Sequence, residues 1–151
     1  MRIAIFTAAA TFLSACETLP ADDVGASEIR HYVKDAYKDA GFPFSSAVEV
    51  DGWIYLAGEL GTTSDGALVP GGIGPETRQT MDNIETTLAT NGLAWDRVVK
   101  CTVFLADIAE WPAFNEIYKT YFTGDFPARS ALGANGLALG ARVEIECIAK
   151  R

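Results

Sequence analysis

Apolar residues recur at helical spacing in three stretches of the chain and alternate at strand spacing in others. Ile29, Tyr32, Val33, Ala36 and Tyr37 fall at i, i+3, i+4, i+7 and i+8, which predicts an amphipathic helix over about 27–40, capped by Ser27 and stopped by Gly41. Val48 and Val50 then alternate with polar residues. Asp51-Gly52 is a hairpin turn signal, and Trp53-Ile54-Tyr55-Leu56 is a β-rich run. The glycine-studded "GTTSDGALVPGGIGP" reads as a loop with a short strand at "ALV". It lacks the G-x-x-x-x-G-K-[ST] pattern of a phosphate loop. A second helix is predicted from Pro75 to about Asn91, with Met81, Ile84 and Leu88 as its buried stripe and Gly92 closing it. "RVVKCTVFLAD" is a strand. The third helix starts near Pro112, and Phe114, Ile117, Tyr118, Tyr121 and Phe122 form a stripe read as core rather than a cofactor box. In the closing strand "ARVEIECIAK", Val143, Ile145, Cys147 and Ala149 share one face, Glu144 and Glu146 the other.

This order of elements predicts an α+β sandwich, one mixed β-sheet covered by helices on one face. Glu144 and Glu146 then lie on the uncovered face, which suits a partner subunit. No repeat or second domain is visible.

Charge narrows the function classes. The chain of 151 residues carries a formal net charge of −8. Nucleic-acid binding needs a positive footprint and is disfavoured. Any anion site must supply its own local positive charge.

The first residues read as a targeting segment rather than as fold. "MRIAIFTAAATFLSAC" has a basic start, an apolar centre and Leu13-Ser14-Ala15-Cys16, which resembles a bacterial lipobox. Residues 1–16 are therefore expected to be a lipoprotein signal ending at an acylated Cys16, with a plain export signal as the alternative. Residues 17–26 are a tether. The expected location is the periplasmic side of a membrane, held by acyl chains alone or, without them, soluble in the periplasm. Cys101 and Cys147 sit in apolar strands and are expected as buried free thiols, although an exported protein permits a disulfide. His31 is the only histidine and no cysteine cluster exists, which disfavours a histidine triad or a zinc site.

The remaining chemistry centres on "FPARSALGANGLALGARVEIECIA". On the residues alone, Arg129 is either a solvated arginine paired to an acid or a ligand clamp, and Glu144 and Glu146 cannot be separated by periodicity. Together with "DNIETTLATNGLAWDRVVKCTVFLAD" and "FNEIYKTYF", however, this stretch resembles the RidA family of reactive-intermediate deaminases, also called YjgF. The resemblance covers about 42–150. It implies a homotrimeric barrel of the chorismate-mutase-like type with ligand clefts between subunits. It implies hydrolysis of 2-imino or enamino acids to 2-keto acids and ammonia without metal or organic cofactor.

Carried over by position, Arg129 matches the carboxylate-binding arginine and Glu144 the glutamate linked to the attacking water. Gly58 lines the pocket by its backbone, and Asn115 supports the cleft or bonds a backbone group. Ser130 and Ala131 follow the arginine, and Phe44 is a pocket wall or core. The chain departs from the family at Phe44 (commonly tyrosine), Ala57 (often serine) and Ala131 (commonly cysteine). A binding module of the same fold, holding a small carboxylate or a protein partner at the cell envelope, is the second function class. The ribonuclease activity sometimes attached to the family fits the acidic charge poorly.

Overall fold

The computed structural model describes residues 27–151. The signal-like segment, Cys16 and the tether lie outside the described residues. Among the described residues, seven strands form one sheet. They are β1 (Ile29–Tyr32), β2 (Ala47–Val50), β3 (Trp53–Leu56), β4 (Glu59–Leu60), β5 (Val98–Leu105), β6 (Ala128–Gly133) and β7 (Val143–Lys150). Their order is β1-β2-β3-β7-β5-β6, with β4 also paired to β7. Only β5 and β6 run parallel. The helices are α1 (Asp35–Asp39), α2 (Ile73–Thr90) and α3 (Trp111–Tyr118). The predicted α+β architecture, a mixed sheet with helices packed on one face, is what the chain adopts.

The core explains the patterns. Met81, Ile84 and Leu88 of α2 and Phe114 and Tyr118 of α3 are buried against Ile54, Val103 and Ile145 of the sheet. In β7 the alternation holds, with Val143, Ile145, Cys147 and Ala149 buried. The register carries this alternation to the neighbouring strands. The uncovered face presents Glu144, Glu146 and Ile148 of β7, Phe104 of β5, and Trp53 and Tyr55 of β3. Trp53, Tyr55 and Leu132 remain exposed.

Two expectations are corrected. The helix expected at about 27–40 does not form. Ile29–Tyr32 is instead an edge strand antiparallel to β2, and the only helix there is the five-residue α1. A helix that short is marginal in isolation. Strand pairing, the Tyr32 hydroxyl donating to Glu49 (2.6 Å) and the Lys34 amide donating to Ser46 Oγ (3.0 Å) hold the segment in its observed form. Second, Cys101 and Cys147 are not free thiols. They lie directly opposite on β5 and β7 and form a disulfide, with Cα atoms 4.1 Å apart. Ala128–Gly133, which carries the arginine motif, is a strand on the sheet edge. The "ALV" stretch makes a single bridge, Thr62 to Leu68.

One polar cluster ties α1 to the body. Glu59 is buried, with Lys34 Nζ at 2.5 Å, Thr87 Oγ1 donating at 3.0 Å and the Tyr37 hydroxyl at 3.3 Å. A buried carboxylate requires such partners. At the other end of the sheet, Glu49 accepts from Arg151 Nε (2.8 Å) and from Tyr32. Those bonds, that of Arg151 foremost, pull its pKa down to about 2.

Candidate active site

Two groups of side chains carry the chemistry, and they occupy opposite faces of the sheet. The first is built by β6 and α3. Pairing of Cys101 with Arg129 and of Val103 with Ala131 turns both β6 side chains toward the helices. The Arg129 guanidinium lies 4.6 Å from the Tyr118 ring centroid and 5.6 Å from that of Phe114. A guanidinium stacked on aromatic faces keeps its donors at its edges, free for a planar acceptor. Among the described residues it has no salt-bridge partner.

A cavity of about 490 Å³ opens at this point, walled by Trp111, Asn115, Tyr118, Phe126, Arg129 and Ala131 among others. Two further polar atoms lining it are buried without a partner, Asn115 Oδ1 and the Tyr118 hydroxyl. Tyr118 is 3% exposed. Burial pushes its pKa up to about 12, and the charge of Arg129 offsets part of that rise. The hydroxyl is therefore neutral near pH 7 and can donate. Unpaired buried polar atoms are costly, and two of them beside the half-exposed, unpaired Arg129 guanidinium mark a place where a ligand completes the bonding.

The second group is built by β7 and the β3–β4 turn. Glu144 points to the uncovered face beside Gly58. A Cβ at Gly58 would collide with a Glu144 carboxylate oxygen and lie 3.0 Å from Cδ. The missing side chain at Gly58 thus makes room for the carboxylate. Half-burial, then the neighbouring charge of Glu146, raise the Glu144 pKa above the ordinary carboxylate value. Glu144 has no basic partner among the described residues. No group of three or more His, Cys, Asp or Glu side chains suited to a metal occurs among them.

Of the residues read from the sequence, the fold gathers Arg129, Asn115 and Ala131 in one place and Glu144 and Gly58 in another. Ser130 pairs with Thr102 and so faces away from Arg129. Phe44 joins neither group. It is 47% exposed and stacks on Phe42, centroids 5.5 Å apart, with Tyr37 edge-on. Sequence reasoning missed Tyr118, Trp111 and Phe126. Tyr118 was read as core, and its ring is, but its hydroxyl reaches the cavity.

The arrangement defines a class: small α+β proteins that set an unpaired guanidinium into a cavity at the edge of a mixed sheet. The chain belongs to the Endoribonuclease L-PSP family, whose profile matches residues 35–151; this is the RidA family under another description. A mouse protein named 2-iminobutanoate/2-iminopropanoate deaminase is 48% identical over 108 residues, covering 71% of this chain and 80% of the mouse protein. The human protein of the same name is 45% identical, covering 71% and 79%. Among solved structures, YEO7_yeast superposes with a TM-score of 0.76 at 35% identity, covering 82% of this chain and 99% of that one. Escherichia coli TdcF, solved with bound serine, gives 0.69 at 26% identity, covering 72% and 88%.

Proposed function

We propose that the protein hydrolyses 2-imino and enamino carboxylic acids to 2-keto acids and ammonia. The observation that carries this reading is the unpaired Arg129 guanidinium held over Tyr118 beside a cavity. Its fork matches a carboxylate through two parallel hydrogen bonds. The relatives named as imine deaminases support the reaction class, and the serine bound to TdcF supports a small carboxylate-bearing ligand.

In the reaction, Glu144 accepts a proton from water as the water oxygen bonds to C2 of the imine. The C=N π electrons move to nitrogen, which takes up a proton. The resulting carbinolamine takes a second proton on nitrogen, loses ammonia and forms the C2 carbonyl while its hydroxyl proton departs. The sum is imine plus water to ketone plus ammonia, with no oxidant or reductant. A carboxylate with a raised pKa is a better base for this step than an ordinary one.

Arg129 and Glu144 face opposite sides of their own sheet, so one chain does not enclose both in a single pocket. A homotrimer packed through the uncovered faces would set one subunit's Glu144 beside another's Arg129. Trp53, Tyr55 and Leu132, exposed on that face, support burial there.

The test is turnover. The soluble domain should accelerate loss of 2-iminobutanoate generated in situ, and Arg129→Ala and Glu144→Gln should each abolish the acceleration. Co-expressed in one oligomer, the two variants should recover part of it. If wild type equals buffer on a panel of imino acids, the binding-module reading replaces this one.

We further propose export and anchoring through an acylated Cys16. A core disulfide belongs to an oxidising compartment, which supports export. No helix among the described residues is long and apolar enough to cross a membrane. Cys16→Ser should remove acyl labelling, and labelling that persists would refute the anchor.

A further inference from the structure

The Arg129 cavity has more room and more apolar wall than a three- or four-carbon acid uses. A volume of about 490 Å³ lies in the range of pockets that enclose drug-sized ligands. Its polar lining is Arg129, Asn115, Tyr118 and Lys119, the last already paired to Glu116 at 2.8 Å. Trp111 and Phe126 supply the large apolar side chains of the wall. They are 39% and 61% exposed. Phe126 makes an edge-on contact with Phe122, centroids 5.7 Å apart. Ala131, the residue two past the arginine on the same strand face, adds a small apolar side chain to the lining.

We propose that this cavity selects 2-imino acids whose α-carbon carries a bulky apolar or aromatic side chain. The inference rests on the deaminase reading for its reaction and on the cavity alone for its selectivity. The carboxylate sits on the Arg129 fork, and the side chain lies against Trp111 and Phe126. Burying such a side chain discriminates against a methyl or ethyl group by about tenfold to a few hundredfold. Aromatic rings add edge-to-face contacts with the same two residues.

Imino acids generated in situ from phenylalanine, leucine and alanine test it, by kcat/KM with wild type, Trp111→Ala and Phe126→Ala. The expected result is at least about a tenfold preference for the phenylalanine-derived imine over the alanine-derived one, shrinking in both variants. Both residues are surface-exposed, so the variants should fold. Equal or reversed rates would overturn the selectivity and leave the deaminase reading intact. If no imine is turned over, the deaminase reading fails. Calorimetric titration then decides the selectivity, with 3-phenylpropanoate against propanoate. At least about tenfold tighter binding of 3-phenylpropanoate, lost in Arg129→Ala and weakened in Phe126→Ala, sustains the proposal. Equal binding, or none, overturns it.

Discussion

Replacing Gly58 by alanine separates the position of Glu144 from the stability of the fold. The backbone at Gly58 tolerates a side chain, because its φ lies outside the left-handed region. The obstacle is Glu144. A methyl group there meets the carboxylate oxygen below contact distance, with Cδ at 3.0 Å and Cγ at 3.2 Å. The atoms in the way are the far end of a flexible side chain with no ion-pair partner among the described residues. Glu144 can therefore rotate away to make room. Stability should hold or rise slightly, because alanine restricts the unfolded chain by about 0.4–1 kcal/mol. Activity should not hold, since a positioned general base contributes about 10²–10⁴-fold. The assay pairs thermal unfolding with kcat for imine hydrolysis. We predict an unchanged or higher Tm and a kcat lowered by about a hundredfold or more, with little change in KM, because Arg129 is untouched. Undiminished kcat would refute the role given to Glu144. A collapse in Tm would refute the claim that Glu144 can rotate away.

Three further outcomes follow from the same geometry. Reducing the Cys101–Cys147 disulfide, which closes a loop of 46 residues, should lower the stability measured in urea by up to about 4 kcal/mol; identical curves with and without reductant would contradict the bond. Protonating Glu144 should switch activity off on the acid side, with an apparent pKa above the ordinary glutamate value. Glu146→Gln should move that limb to lower pH by removing the second cause of the rise, and a fixed limb would exclude Glu144 as the titrating group. A raised pKa in a carboxylate also means that the stability linked to Glu144 is present below its unfolded pKa and lost as pH rises through the folded value. Lys34→Met should destabilise by about 2 kcal/mol, because it strips the ammonium from buried Glu59. Lys34 is only partly buried, which keeps the cost below that of a fully enclosed pair.

How much of this was legible in the sequence depended on the range of the interaction. The Met81–Ile84–Leu88 stripe and the Val143–Ala149 alternation are set by local periodicity, and both were read correctly. Residues 29–37 carried a helical spacing too, but the hydrogen-bonding edge of β2 overrode it over Ile29–Tyr32 and left only the short α1 beyond. Nothing within that segment announces such a distant edge. The strand Ala128–Gly133 is made of small residues with weak β preference and exists because β5 offers it a parallel partner. The disulfide likewise depended on two strands meeting in one register. At the site, motif spacing picked out Arg129 and Glu144. Their placement on opposite sheet faces follows from pairing of β5 with both β6 and β7, which spacing does not encode. Tyr118 was missed for a related reason, since a stripe position records where a ring goes and not where its hydroxyl ends.

The account stands on Arg129 as the group that holds the substrate carboxylate. The direct measurement is kcat/KM for 2-iminobutanoate with wild type, Arg129→Lys and Arg129→Ala, alongside calorimetric binding of a non-reacting carboxylate. Loss of a buried charged partner costs about 2–5 kcal/mol, or roughly 30-fold to several-thousand-fold. We predict losses of that size for Arg129→Ala in both measurements. Arg129→Lys should recover only part, because an ammonium keeps the charge without the fork. Wild-type turnover and carboxylate binding in Arg129→Ala would contradict the account.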